Sequence, residues 1–306
     1  MAELTCRRVL TDSLTLKIVI PAAGAGSRFL PTSRVVPKEL LPLGIKPLIH
    51  HALEEAERAG FTGALVVVSP QKTALRAYFQ REPSLERMLE ARGDHQALAL
   101  VTEAAAIAER LQLTFVEQPE PMGLGDAVLR CRAVAGETFA VLLPDDVVTS
   151  SAHWGQLLRL QEETGSACFC VRPVGAEQVH RFGIAVCEAA DDRLYVRQLV
   201  EKPKPGTVRS RLSVFGRYVV TAAVLDALEE AEAGSNAELQ LTDGFAAVVG
   251  RPPGVLAALF TAEFFDNGTP DEYARSLARY VAGATDQWSI RERIERQHPL
   301  SQIGLD

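Results

Sequence analysis

The sequence predicts an α/β protein, a Rossmann-like, mostly parallel sheet with helices on both faces. Three observations lead there. Short β-branched apolar runs alternate with amphipathic stretches along most of the chain. Several runs, such as residues 64–69, are continuously apolar, as strands covered on both faces must be. The first run, residues 18–21, ends in the turn Ala22-Ala23-Gly24-Ala25-Gly26, at the strand end where open sheets of this class place ligands.

In chain order, residues 18–21 are the first strand, and residues 47–59 are an amphipathic helix ended by Gly60. Residues 64–69 are a strand. Residues 73–79 and 84–91 read as helices, with Ser84 as N-cap of the second. Residues 113–117 are a strand, and 125–133 a helix that follows a second glycine pair, Gly123 and Gly125. Residues 140–143 form a strand that stops at Pro144-Asp145-Asp146. Residues 166–171, 183–187 and 196–200 are further strands, and 218–220 leads into a helix over 222–232. From Asp271 the chain is helical and polar. With no repeat and no low-complexity linker, the expected organisation is one domain over 1–284, more β-rich after about residue 150, and a helical tail over 285–306.

The 306 residues carry a formal net charge of −7, which argues against a general nucleic-acid binder. A local cationic cluster can still reverse the field in one cleft. No apolar run reaches membrane-spanning length, and Thr11, Asp12 and Ser13 interrupt any signal-like core after Arg7-Arg8. Cytoplasmic location is the expectation. The five cysteines at 6, 131, 168, 170 and 187 show no CxxC and no zinc spacing, so they read as free buried thiols, with Cys168 and Cys170 on one face of a strand.

The stretch 18–43 carries the chemistry. A buried strand leads into bare backbone amides at Gly24 and Gly26, and two cations, Arg28 and Lys38, follow. That order describes a polyphosphate site. A Walker sequence is absent, and Phe29 stands where the third glycine of a dinucleotide fingerprint belongs. The run Gly24-Ala25-Gly26-Ser27-Arg28-Phe29-Leu30-Pro31, followed by Pro37-Lys38-Glu39-Leu40-Leu41-Pro42, resembles the signature of the sugar-1-phosphate nucleotidyltransferases. Within that family it looks most like the bacterial UTP–glucose-1-phosphate uridylyltransferases, also called UDP-glucose pyrophosphorylases. The resemblance covers roughly residues 15–282 and implies a nucleotide-diphospho-sugar transferase fold, with a nucleotide-binding part over about 15–150 and a sugar-binding part over about 151–270.

The resemblance also implies roles. Ala23, Gly24 and Gly26 would border the triphosphate and base, Arg28 and Lys38 would serve the phosphates as catalytic groups, and Glu39 would be a binding residue. Gln118, ahead of Gly123-Leu124-Gly125-Asp126-Ala127, would read the uracil edge, because its amide both donates and accepts, and Gly123 would let backbone approach the base. Asp145 and Asp266 would hold Mg²⁺, with Asp146 beside them. Gly183, Glu201 and Val214 would meet the hexose, and Lys202 the phosphate of the sugar. UTP and glucose 1-phosphate are then the implied substrates, in a homodimer or homotetramer. Phe215-Gly216-Arg217-Tyr218 and Glu238-Leu239-Gln240-Leu241-Thr242-Asp243 also resemble the glucose uridylyltransferase pattern. Thr269-Pro270 instead resembles thymidylyl- and guanylyl-transferring relatives, and Arg34 replaces a usual lysine. A related enzyme using dTTP or GTP, or a weakly catalytic paralogue that binds nucleotide sugar, stays open. His50, His51, Trp154 and Trp288 carry no ligand pattern.

Overall fold

A computed structural model describes residues 16–231 and 238–283; the expected tail over 285–306, Trp288 and Cys6 lie outside the described residues. Numbered along the chain, the strands are β1 (Ile18–Pro21), β2 (Pro42–Leu43), β3 (Lys46–Pro47), β4 (Ala64–Val68), β5 (Thr114–Glu117), β6 (Phe139–Leu142) and β7 (Asp146–Val148). They continue as β8 (Ala167–Pro173), β9 (Gly183–Ala190), β10 (Arg193–Glu201), β11 (Leu212–Val220), β12 (Val255–Leu259) and β13 (Phe264–Asp266). Nine of them form one sheet in the order β5-β4-β1-β6-β11-β8-β12-β10-β9.

The first four positions of that order are parallel throughout, as the continuously apolar runs require. Antiparallel pairing enters at β11, which runs against both β6 and β8. It continues through β10 against β12 and β9. The β9–β10 link is the two-residue turn Asp191-Asp192, both with positive φ, which suits an antiparallel hairpin. β9 also pairs with β11 through Ala185↔Leu212 and Ile184↔Ser213, so the five strands from β11 to β9 close on themselves.

Alternation along each central strand divides the core in two. Ile18, Ile20, Val66, Val68, Ala140 and Leu142 pack on one face, with Ile49 and Leu53 of α1 (Leu48–Arg58) and Trp154 and Leu157. Val19, Leu65, Val67, Phe139 and Val141 pack on the other, with Val128, Val224 and Phe245. Each such Val, Leu, Ile or Phe side chain contributes about 1.5–3 kcal/mol by leaving water, and Ala140 less.

The remaining helices are α2 (Thr73–Tyr78), α3 (Pro83–Ala91), α4 (His95–Arg110), α5 (Leu124–Leu129), α6 (Arg132–Ala135), α7 (Ala152–Thr164), α8 (Ala222–Glu230), α9 (Leu241–Val248) and α10 (Pro270–Gly283). α4 is not among the elements the periodicity predicts. Its inward face is largely alanine, which blurs the amphipathic contrast, and its start is fixed by Asp94, whose Oδ1 accepts from Ala97 N–H at 3.0 Å. α3 starts one residue earlier than expected, with Pro83 in its first turn, so Ser84 lies inside the helix and does not cap it. β11 is nine residues long where only 218–220 is legible, because Ser213, Gly216 and Arg217 break the apolar run. His50 and His51 are buried in α1, against Tyr78 Oη and Leu43 O at 2.9 Å each, and so serve packing. No described helix is long and apolar enough to cross a membrane.

Candidate active site

The turn after β1 is shaped by Gly26, whose φ of +63° is costly for any side chain and whose added Cβ would stand 3.1 Å from Ser33 Cβ. Gly24 has open space on its Cβ side, nothing lying within 4 Å. Lys38 packs its stem beside Gly26 and sends Nζ to Asp145 Oδ2 at 2.6 Å. Phe29 is buried, with its ring edge-on to Tyr273, and Arg28 extends outward, donating to Gly268 O at 3.3 Å.

Asp145 follows β6, and Asp266 ends β13. The short hairpin-like pair β7–β13 sets Asp266 opposite Asp146. Buried Asn267 then donates its backbone N–H and its Nδ2 to Asp145 O, at 3.0 and 2.9 Å. Asp145, Asp146 and Asp266 therefore lie near enough to feel one another's charge. Behind them stands Arg217, fully buried, with all five donors used. Nε and Nη2 grip Glu55 at 2.6 Å each, Nη2 also reaches Asp146 O at 2.6 Å, and Nη1 reaches Leu143 O and Gly216 O at 3.2 and 3.0 Å. Glu55 Oε1 further accepts from His153 Nε2 and Trp154 Nε1, at 3.0 and 2.8 Å. The guanidinium thus clamps the backbone on both sides of Asp145.

Burial would raise the Asp145 carboxyl, but Lys38 beside it prevails and holds it below the ordinary value. Burial likewise pulls on Lys38, and Asp145 and Glu39 hold it above its ordinary value. Asp146 is different: burial first, then the charge of Asp266, push it up to about 7. Asp266 is also raised, by burial and then by Glu272 and Asp145, against a hydrogen bond from Gly268 N–H. Two carboxyls that resist ionisation beside a third that is ionised mark a place short of positive charge. A hard divalent cation fits that donor set. Among the described residues no group of three or more His, Cys, Asp or Glu stands where it could hold a metal ion, so a cation here would take one or two carboxylates and complete its shell with oxygens from water or substrate.

One cavity of about 500 Å³ gathers Arg28, Asp145, Gly183, Glu201, Lys202, Val214 and Asp266 on its walls. Lys38 reaches it through Asp145. A Cβ on Gly183 would stand 3.0 Å from Glu201 Oε2, 3.2 Å from Thr242 Cγ2 and 3.6 Å from Val214 Cγ2, so these four form one wall. Thr242 Oγ1 donates to Glu201 Oε2 at 3.1 Å. Lys202 is held in the left-handed region, φ +42°, by its N–H on Phe182 O, and its Nζ lies 3.4 Å from Glu201 Oε1. A lysine in that conformation is costly and is kept where the surroundings over-determine it.

Other expected residues take different places. Glu39, 1 % exposed, accepts from Lys72 Nζ with both oxygens, at 3.0 and 2.8 Å, and Lys72 also donates to Ala22 O at 2.7 Å. Glu39 therefore braces the turn and has no open face for a ligand. Gln118 is buried and spends its amide nitrogen on Gly123 O and Asp126 Oδ2, at 3.0 and 2.7 Å, so only its carbonyl is left to read a base. Gly123 is glycine because its Cβ would meet Leu239 O at 2.3 Å; its bare side faces the 238–240 backbone. Gly125 N–H donates to Leu239 O and Leu239 N–H to Met122 O, at 2.7 and 2.8 Å. Two motifs singled out separately are thus docked on each other. Ala23 is buried behind the turn. Lys72, Glu55 and Arg172 carry no local pattern in sequence, whereas Arg217 and Thr242 lie within the motifs at 215–218 and 238–243.

The nucleotidyl transferase family model matches residues 17–282. The chain belongs to that family. A UTP–glucose-1-phosphate uridylyltransferase of Staphylococcus haemolyticus is 38 % identical over 268 residues, 87 % of this chain and 92 % of the relative. One of Bacillus subtilis is 41 % identical over 230 residues, 74 % of this chain and 78 % of the relative. Among solved structures, a UDP-glucose pyrophosphorylase complexed with UDP-glucose superposes with a TM-score of 0.75 at 30 % identity, covering 87 % of this chain and 98 % of that one. The UTP-bound UGPase from Acinetobacter baumannii gives 0.76 at 32 %, covering 87 % and 93 %. This nucleotidyl transferase thus shares the fold of those solved structures over most of its length.

Proposed function

We infer that this nucleotidyl transferase transfers a uridylyl group from UTP to glucose 1-phosphate. An oxygen of the sugar phosphate attacks the α-phosphorus of UTP, the bond from that phosphorus to the bridging oxygen breaks, and pyrophosphate leaves with UDP-glucose as product. The supporting observation is the single cavity that holds Arg28, Asp145, Lys202 and Asp266 together, with Lys38 on Asp145. The names of the uridylyltransferase relatives supply the nucleotide and the sugar.

No covalent intermediate is needed, because a phosphate dianion is itself a nucleophile. Positioning and neutralisation then account for the rate. Gly24 and Gly26 offer backbone donors to the triphosphate, and Arg28 grips its far phosphates with a planar fork. Lys38, steadied by Asp145, places positive charge at the α-phosphorus. Lys202 binds the sugar phosphate, and Glu201, Gly183 and Val214 shape the hexose wall. Asp145 and Asp266 would hold Mg²⁺, which supplies neutralisation of phosphate charge when bound. Gln118 acts mainly by holding the Gly123 loop and offers its carbonyl to the base.

A pyrophosphate-release panel of four nucleoside triphosphates against several sugar 1-phosphates tests the reading. The expected outcome is fastest release with UTP and glucose 1-phosphate. Preference for dTTP or GTP, or tight UDP-glucose binding without turnover, would replace it.

A further inference from the structure

Arg172, on β8, lines the cavity beside Phe182 and Gly183. Its guanidinium carbon stands 4.7 Å from the ring centre of Phe264 and 5.2 Å from that of Phe182. Rings take the faces of a guanidinium and leave its in-plane N–H donors free. The other arginines of the cavity are engaged: Arg28 donates to Gly268 O, and Arg181 is paired with Glu272. Among the described residues no hydrogen bond or ion pair involves the Arg172 side chain. Asp146 and Asp266 feel its charge without touching it. Phe264 and Asp266 are two residues apart on β13 and so project to one side, which carries Arg172 toward the cluster of carboxylates. A pinned cation with unspent donors on the wall assigned to the sugar is built to receive an anion.

We propose that Arg172 is a further substrate-contact residue, grasping an oxyanion of the sugar phosphate; the proposal rests on the transfer reaction inferred above. The oxyanion has two possible sources, the phosphate at C1 or a carboxylate on a hexuronic acid 1-phosphate. Both use the same planar pairing of guanidinium with oxygen.

The test is initial-rate kinetics on the full chain and on Arg172→Gln and Arg172→Lys, with UTP against glucose 1-phosphate and against glucuronic acid 1-phosphate. Arg172→Gln raises the KM for glucose 1-phosphate by roughly tenfold or more, as loss of a charged hydrogen bond implies. The KM for UTP stays within about twofold. Arg172→Lys, which keeps the charge without the fork, falls between, and it carries the test if the Gln variant does not fold. Equal loss on both sugars identifies the C1 phosphate, and loss confined to glucuronic acid 1-phosphate identifies the carboxylate. Unchanged KM for both sugars, or an equal rise in the KM for UTP, overturns the proposal. An unmodified chain that releases no pyrophosphate from UTP and glucose 1-phosphate overturns the underlying reaction instead.

Discussion

Lys38 Nζ stands 2.6 Å from Asp145 Oδ2, so a cation from the turn after β1 and a carboxylate from the turn after β6 form one ion pair at the ends of adjacent parallel strands. The pair is about a quarter exposed on each side, and such pairs contribute about 1 kcal/mol or less to stability. Its value lies in where it places charge. Lys38→Met should lower kcat by roughly a hundredfold or more, as loss of a transition-state cation does, while the melting temperature moves by only a few degrees. Turnover within about threefold of the parent would assign Lys38 a structural role only.

The acidic cluster predicts a pH dependence. Asp146, pushed up to about 7, and Asp266, also raised, bind protons in the folded chain that the unfolded chain has released. Their contribution to stability should therefore fall as pH rises from the ordinary carboxylate range through about 7. Asp145 acts oppositely: its depressed value adds stability above the ordinary range, lost only in stronger acid. His50, lowered to about 4, and His51, also lowered, act the other way, because both resist protonation below the ordinary histidine value; in chelator the melting temperature of the parent should therefore lose ground to that of Asp146→Asn between pH 5.5 and pH 8. Added Mg²⁺ should raise the parent's melting temperature more at the higher pH, where the carboxylates are free to bind. Thermal scans at the two pH values check this, and a Mg²⁺ effect larger at low pH would contradict the charge assignment.

Sequence carried the outline of this protein because its informative features are local. Strands buried on both faces write continuous apolar runs, as β1 and β4 do, and the glycine turn, Arg28 and Lys38 all follow β1 in one uninterrupted segment that ends at residue 38. What it hides is made by long-range contact. The Glu55–Arg217 pair joins residues 162 apart, and Glu55 looks like any acidic position on a helix. Glu39 carries a motif position, yet its partner Lys72 is 33 residues away. Only residues 218–220 of β11 are legible, because its polar centre is buried by the clamp it carries, a compensation no window of the chain displays. Gly123 was legible as special, but its reason, the Leu239 backbone, appears only when the chain folds.

Glu55→Gln should be severe although Glu55 is remote from substrate. Removing one charge leaves Arg217 buried with an uncompensated charge, a change that costs about 3–5 kcal/mol. Because Arg217 also holds Leu143 O and Asp146 O, the turn bearing Asp145 should loosen and kcat should fall with stability. Urea unfolding and kinetics measured below the new midpoint separate the two effects. A loss below about 1 kcal/mol would mean the pair is not the brace described.

Lys202→Ala should discriminate between the substrates. Lys202 lies at the end of β10, on the wall with Glu201 and Gly183, and is about half exposed. Its ammonium is suited to a phosphate as a point charge. The KM for glucose 1-phosphate should rise at least tenfold, with the KM for UTP within about threefold. Equal rises for both would place Lys202 on a phosphate of the nucleotide.

Thr269-Pro270 has a structural cause that separates it from nucleotide choice. Thr269 Oγ1 accepts from Glu272 N–H at 3.3 Å and donates to Glu272 Oε2 at 2.9 Å, and Pro270 opens α10. A threonine cap followed by proline is a strong helix start, and here it aims α10 back toward β2, where Tyr273 Oη donates to Pro42 O at 2.6 Å. Thr269→Ala should therefore cost about 1 kcal/mol of stability and leave the ranking of UTP, dTTP and GTP as it is in the parent. Thr269 also borders the cavity, which gives the experiment a second reading. If the ranking shifts while stability holds, the hydroxyl is meeting substrate and the capping explanation is insufficient.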